Sequence, residues 1–459
     1  MATPLTMDLG RFISGLSHAD IPAEARTAIH TAFVDTIGVT IAGAREPAPQ
    51  MVRAMLSPAG DEALLLGRQG RGSALDAAWI NGTAAHALDF DDVSQRGFGH
   101  ASAFLVPAIL AEAEAIGASG QQMVTAYAAG YETIADLVRR DADVGRYHDK
   151  GWHPTGFCGA VGAAAACASL RGLSPEQSAM ALSLAGSQAC GLIANVGTMT
   201  KPFHAGRAAH AGVASAKLAA AGFTAAVDAI EHPPGFLFAF SYGGRVDVES
   251  PVMAGVDWQI CGANRISIKK YPMCYCTHRT IDGMFDLLAA HAIDVANIER
   301  IDVSISRRNL VILRNHAPQT GLEAKFSIEF AAAAPLIAGR AGLGELRDEF
   351  VLRPEVQALM RRVVVQPDDR DNPDRPGYAI HDRVVIVTRD GHELDSGPIT
   401  NVRGDHASPL RRDELWSKFE DCLRVADAAD AGVRAAPLFE ALMRLDEVAH
   451  VRNLVALMR

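Results

Sequence analysis

Across its first half the chain repeats one pattern, and that pattern limits the fold more than any other feature. Apolar residues recur at helical spacing over 22–42, 46–56, 74–88, 101–117, 120–140, 157–171, 175–190 and 203–221, with short breaks between. The breaks carry helix signals of their own. Pro22 suits a first helical turn. Ser73 stands where it can cap the next helix, with Asp76 in the first turn. In Gly172-Leu-Ser-Pro-Glu-Gln177, Ser174 can cap, Pro175 fits the first helical position and Gln177 can reach back as a capping box. Alanine, used heavily throughout, favours helix and lets helices approach closely. No strand-rich run occurs before residue 260 and no repeat period is evident, so the first half reads as an all-α domain.

The pattern changes near Cys261. Residues 300–306 alternate in the manner of a strand, and 361–366 and 383–388 are further β-type runs. The last leads into Asp390-Gly391, a hairpin signal. Helical patterns at 277–291 and 325–340 accompany them, and the polar segment 366–378 reads as a surface loop. From Ser408-Pro409 the pattern is helical again, ending in one amphipathic helix marked by Leu438, Leu442, Leu445, Val448 and Leu454. The expected organisation is mainly α. A large helical domain spans 1–260 and is completed by 403–459. A smaller α+β unit spans 261–402.

Length and charge bound the function. A chain of 459 residues is long for one core. A net charge of −10 argues against general nucleic-acid binding, which needs a concentrated basic surface. It leaves a small anionic substrate open, because a few buried cations make a local positive pocket. The uncharged run 177–200 exceeds the about 18–20 residues of a membrane span. Ser, Gln, Asn, Thr and Gly interrupt it, so a buried helix and loop is expected instead. No basic region followed by an apolar stretch opens the chain, so no secretory signal is expected. The seven scattered cysteines suggest reduced thiols and a cytoplasmic setting. Cys274-Tyr-Cys276-Thr-His278 lacks the usual metal-ligand spacing.

Four stretches concentrate polar groups in otherwise bland sequence. The first runs from His86 to His100 and holds Asp89, Asp91 and Asp92 at a helix–loop–helix junction. A capping cluster and a catalytic wall both fit it. The second is Gly151-Trp-His153-Pro154, ahead of an Ala/Gly helix. The third holds Lys201, with Pro202 in the first turn of the following helix. Helix-start N–H groups beside a lysine make a carboxylate site; a solvated helix start is the plain alternative. The fourth is Lys269-Lys270-Tyr271-Pro272, followed by His278. Together they supply histidines for proton transfer, an aspartate to orient one, and lysines for carboxylates. That is the equipment for removing or adding a proton next to a carboxylate.

These stretches also carry a resemblance. Asn81-Gly-Thr-Ala-Ala-His86, Asp89-Phe-Asp-Asp92, Gly151-Trp-His-Pro154, Thr198-Met-Thr-Lys-Pro202, Lys269-Lys-Tyr-Pro272 and Ala324-Lys-Phe-Ser-Ile328 resemble, in order, the motifs of the MmgE/PrpD family. That family includes 2-methylcitrate dehydratase, cis-aconitate decarboxylase and iminodisuccinate epimerase. The resemblance implies a large all-α domain with an inserted α+β lid, a homodimer, and no cofactor or metal. It implies that His100 and His153 do acid–base chemistry and that Asp89 is a polar active-site group. Lys201 and Lys269 would line a carboxylate pocket with His278 near it, and Lys270 would replace Lys269 if the register shifts by one. Val93-Ser94 stands where many relatives have Thr-His, and Phe330 where they often have Tyr. Both changes point to an altered substrate pocket and away from close identity with cis-aconitate decarboxylase. The stretch 269–278 and Glu323-Ala-Lys-Phe-Ser-Ile-Glu329 look similar to the epimerase branch.

The expected activity is a cofactor-independent lyase or isomerase acting on a small di- or tricarboxylate. Dehydration of a 2-methylcitrate-like acid comes first, then epimerisation, then decarboxylation. Two other classes stay open. One is a metal-dependent hydrolase or hydratase using His86, Asp89, Asp91, Asp92 and His100, with His86 and Asp89 on one helix face. The other is a non-catalytic carboxylate-binding protein.

Overall fold

The computed structural model of the chain describes residues 4–67, 70–94, 98–262, 265–372, 375–426 and 431–458, with backbone alone at 371, 375–378 and 431–433. Residues 95–97 of the His86 to His100 stretch, and 373–374 of the expected loop at 366–378, lie outside the described residues.

The principal elements run in this order: α1 (Leu5–Gly15), α2 (Ala23–Gly43), α3 (Pro47–Leu56), β1 (Ala63–Leu65), β2 (Gly70–Gly72), α4 (Ala74–Ala87), β3 (Val93–Ser94), α5 (Ala101–Ile116), α6 (Gly120–Arg139), α7 (Pro154–Leu170), α8 (Pro175–Gly186), α9 (Thr200–Ala220) and β4 (Ile266–Ser267). Next come α10 (His278–Ala290), β5 (Ile298–Ser306), α11 (Ile328–Ala338), α12 (Pro354–Met360), β6 (Val363–Asp368), β7 (Asp371–Asn372), β8 (Arg375–Ala379), β9 (Arg383–Thr388) and β10 (Glu393–Asp395). The chain closes with α13 (Arg412–Ala426), α14 (Ala431–Met443) and α15 (Val451–Met458). The protein is mainly α, as its sequence periodicity requires.

Two compact units divide the chain. The first comprises Met1–Asn195, Met199–Ile268 and Arg411–Arg459; the second comprises Val196–Thr198 and Lys269–Leu410. The changeovers therefore fall at Ile268/Lys269 and Leu410/Arg411, against 261 and 402 from the sequence pattern.

In the first unit α4, α7 and α9 pack closely because small residues line their faces. A Cβ at Gly206 on α9 would collide with the Trp79 carbonyl on α4, and one at Gly212 with the backbone of Ala163 on α7. Helix starts form as their cap residues dictate. The Ser73 hydroxyl accepts from the Asp76 N–H at 3.1 Å. Ser174 and Gln177 form the reciprocal capping box, at 3.2 and 3.1 Å. Each such cap stabilises its helix by about 1 kcal/mol. The run 177–200 folds as most of α8 and the loop behind it. Among the described residues no single helix is long and apolar enough to cross a membrane. Helices α2 and α3 reach that length and apolarity when taken together, but they are bent by 79°.

Four expectations need correction. The region before 260 does contain strands, the two-stranded ribbon β1–β2 and β3, which pairs with β4 beyond 260, each too short to show an alternating pattern. The segment 366–378 is not a plain loop: β6 runs on to Asp368 and β7 pairs antiparallel with β8. The helix expected from Ser408-Pro409 begins at Arg412. The last amphipathic helix is two helices. Between α14 and α15 the chain leaves the helix to bond the turn joining α5 and α6. There the Val448 carbonyl accepts from Gly120 N–H and the Val451 N–H donates to the Ala118 carbonyl, both at 2.8 Å.

The second unit is built on a four-stranded sheet of order β10-β9-β5-β6. Strand β5 pairs parallel with β6 and antiparallel with β9. Strands β9 and β10 form the hairpin expected at Asp390-Gly391, where Gly391 takes the left-handed φ of +85° that the turn requires. Ile301, Val303 and Ile305 of β5 are fully buried, and α10 and α11 supply the adjoining helical layer. Phe330 on α11 is buried edge-on to Phe350, an apolar core position.

Candidate active site

Four helix ends of the first unit bring the expected side chains together. His86 lies in the last turn of α4, and His100 immediately precedes α5. His153 immediately precedes α7, and Lys201 lies in the first turn of α9. Three of the four ends are helix N-termini, whose unsatisfied N–H groups and dipoles favour negative charge nearby. All four side chains are buried.

Asp89 lies past the end of α4 with φ +52°, a left-handed conformation that Asp tolerates better than most residues. Its carboxylate accepts from the Lys201 ammonium at 2.5 Å. The expected shared helix face of His86 and Asp89 is therefore not formed, because the helix stops at Ala87.

Asp91 faces two histidines. One of its oxygens lies 2.8 Å from His86 Nδ1 and 3.1 Å from His100 Nδ1. His100 Nδ1 also lies 2.8 Å from the Asp92 carbonyl. A carboxylate and a carbonyl only accept, so Nδ1 of His100 carries the proton and its Nε2 is the basic nitrogen. Burial works against Asp91 ionising, but the His86 and His100 imidazoles outweigh it and hold the carboxyl well below its ordinary range. Burial lowers His86 to about 3; Asp91 opposes the shift, while Lys201 and His100 add to it.

Asp92 has a structural task. It receives the Ser102 N–H at 3.2 Å and the Ser102 hydroxyl, which caps α5. Burial raises its carboxyl to about 7; Ser102 opposes the shift, while Asp35 and Asp91 add to it. Val93-Ser94 forms β3, pairing with Ser267 and Ile266 of β4, and the Ser94 N–H donates to the Gly99 carbonyl at 2.7 Å.

His153 stacks on His86, with ring centroids 5.9 Å apart. Its Nδ1 lies 3.0 Å from Nδ1 of His204. Burial is the main reason that His153 is held well below the usual imidazole range and His204 is lowered to about 4. Lys201 adds to both shifts. Both rings are neutral near pH 7. His204 follows Lys201 by three residues on α9, the spacing that puts both on one face, and this was the available sequence signal for it.

Lys418 and Asp35 had no such signal. The Lys418 ammonium on α13 pairs with Asp35 at 2.5 Å and donates to the Phe90 carbonyl at 2.7 Å. It braces the loop that carries Asp89 and Asp91.

Lys269 and His278 lie in the second unit. Both are buried, and His278 Nε2 donates to the Met273 carbonyl at 3.3 Å. Among the described residues, His86, Asp89, Asp91 and His100 form a group with metal-ligand chemistry, their donor atoms all within 4.8 Å of one another. The seven cysteines form no disulfide.

The arrangement offers a carboxylate-oriented imidazole, a second buried imidazole and an ammonium inside one unit. It can take a proton from carbon while holding an anionic group nearby. The family model described as the MmgE/PrpD N-terminal domain matches residues 7–249, and the MmgE/PrpD C-terminal domain matches 271–436. Human cis-aconitate decarboxylase is 28% identical, covering 75% of this chain and 71% of its own. The cis-aconitate decarboxylase of Aspergillus terreus is 26% identical, covering 85% and 84%. The cis-aconitate decarboxylase-like protein oryM of Aspergillus oryzae is 25% identical, covering 99% and 97%.

Proposed function

Because this chain belongs to the MmgE/PrpD family, we propose that it is a lyase of small di- or tricarboxylic acids that works through a carbanion stabilised by the neighbouring carboxylate. The observation that carries this reading is the His100–Asp91 pair beside the Lys201–Asp89 pair. His100 Nε2 is the base. As it takes a proton, the charge that forms on the ring is balanced by Asp91. A substrate carboxylate competes with Asp89 for the Lys201 ammonium and there disperses the charge of the carbanion. His153 is the second acid–base group.

Decarboxylation, dehydration and epimerisation share that carbanion. In decarboxylation the carbon–carboxylate bond breaks, CO2 leaves and a protonated group supplies a proton to carbon. In dehydration the base removes the proton from carbon, the second acid–base group protonates the hydroxyl on the next carbon, and the C–O bond breaks to release water as the C=C bond forms. The relatives' names favour a cis-aconitate-like acid; a 2-methylcitrate-like acid and an iminodisuccinate-like acid are the further candidates that the sequence motifs offer. The test is a panel of these acids, with citrate, incubated in D2O and followed by NMR. Deuterium entry with loss of CO2 or water supports the lyase. Exchange with inversion alone makes it an epimerase, and no exchange with any acid overturns the reading.

A second reading has one observation in its favour, the compact donor group of His86, Asp89, Asp91 and His100. Two imidazoles and two carboxylates suit a first-row transition ion. Against it, one Asp91 oxygen already serves two imidazoles and the Lys201 ammonium already compensates Asp89. Metal content of the purified protein, with turnover measured before and after chelation, decides between them. A stoichiometric ion whose removal abolishes turnover establishes the metal enzyme.

A further inference from the structure

His204 belongs to none of the roles above, yet its ring makes a polar contact with the ring of His153. Two ring nitrogens of the same kind, Nδ1 and Nδ1, face each other at 3.0 Å. Two neutral imidazoles can meet this way only if one Nδ1 carries a proton and the other does not. The rings are therefore opposite tautomers, and the tautomer of one dictates that of the other. Their surroundings hold them in register. His153 is fixed ahead of α7, its N–H donating to the Gly191 carbonyl at 3.0 Å. The His204 ring lies against Gly191, where an added Cβ would stand 3.3 Å from its Cγ.

The direction of the shared proton follows from His100. Two acceptors at Nδ1 commit His100 to a basic Nε2. His86 Nδ1 also faces Asp91, so its Nε2 is an acceptor as well, and it has no hydrogen-bond partner among the described residues. A pocket that both removes and returns protons needs a donor to complement these acceptors. His153 is the ring that can supply it.

We propose that His204 is a positioning residue. Its Nδ1–H donates to Nδ1 of His153 and keeps the single proton of the His153 ring on Nε2, making His153 the donor partner of the base His100. The direction of donation rests on the acid–base reading above. A neutral imidazole N–H of this kind hydrogen-bonds developing negative charge without placing a second cation beside Lys201.

The test reads ring nitrogens directly and needs no substrate. In the full chain labelled with 15N-histidine at about pH 7, His153 should show protonated Nε2 and unprotonated Nδ1. His204 should show the reverse, with nitrogen–nitrogen coupling across the shared hydrogen bond. A proton on Nδ1 of His153, or two Nε2-protonated rings without coupling, overturns the assignment. In His204→Asn the amide N–H still donates, and the His153 pattern should persist. In His204→Asp only acceptors face His153, and its Nδ1 should become protonated. The two replacements have nearly the same shape, so a merely structural His204 would leave their His153 signals alike, and that result also overturns the proposal. Should His204→Asp fail to fold, the parent and His204→Asn spectra decide. With any acid that exchanges in D2O, His204→Asp should lose on the order of 100-fold in rate, the scale of one acid–base group, and His204→Asn only a few-fold. If no acid exchanges while the nitrogen pattern holds, the proposed reaction fails and the His204 assignment stands.

Discussion

The Lys418 ammonium lies 2.7 Å from the Phe90 carbonyl, although 328 residues separate them in the chain. It also pairs with Asp35 on α2 and sits over the Phe90 ring at 4.0 Å. One buried cation thus ties α13 and α2 to the loop that presents Asp89 and Asp91.

Lys418→Met removes the cation that pairs with the buried Asp35. Breaking a buried pair this way costs about 3–5 kcal/mol. Urea denaturation should show that loss. Adding Asp35→Asn should recover part of it, because the buried carboxylate charge is then gone. Parent-like stability of Lys418→Met would mean that the brace contributes nothing.

Asp91→Asn keeps the shape of the side chain but removes the charge that balances the His100 imidazolium. Turnover of a reactive acid should fall about 10²–10⁴-fold, the usual range for impaired general-base catalysis. Binding of that acid, measured by calorimetry, should change little, since Lys201 is untouched. A large loss of affinity with turnover intact would reverse the roles of the two aspartates.

Lys201→Met should act in the opposite sense. A hydrogen bond to a charged group contributes about 1.5–3 kcal/mol, so carboxylate affinity should fall about 10–100-fold. Lys201→Arg should retain part of it. Equal affinity in the parent and Lys201→Met would place the carboxylate elsewhere.

Asp92 makes stability depend on pH. Its folded-state value of about 7 lies above the ordinary 3.8, so the folded chain holds a proton that the unfolded chain releases between those values. The associated stability is fully present below 3.8 and is lost as pH rises through about 7. Asp92→Asn has no ionisation and escapes that loss. Its stability relative to the parent should therefore climb from about pH 4 to 7 and then level off. The full change is on the order of a few kcal/mol, because a tenfold difference in proton affinity is worth about 1.4 kcal/mol. A gap that stays flat across this range would show that Asp92 ionises normally in the folded protein.

The helices, their caps and the longer strands are local properties, and the sequence determined them. Ser73, Ser174, Pro175 and Gln177 act on backbone groups within their own turn, so their spacing is enough to place a helix start. The motif stretches were legible for the same reason: Lys201 and His153 sit at helix starts whatever surrounds them. The short ribbons were not legible, because β3 and β4 are two residues each and pair across the chain.

What the tertiary structure alone decided is which acid meets which base. From the sequence, Asp89 and Asp91 are near-equivalent carboxylates two positions apart. The end of α4 at Ala87 and the left-handed turn at Asp89 send one to Lys201 and the other to His86 and His100. His204 and Lys418 gained their partners only through helix packing, α9 bringing His204 to His153 and α13 bringing Lys418 to Phe90. Hydrogen bonds and ion pairs act over a few ångströms, so side chains far apart in the chain acquire these roles only once close-packed helices fix the distance.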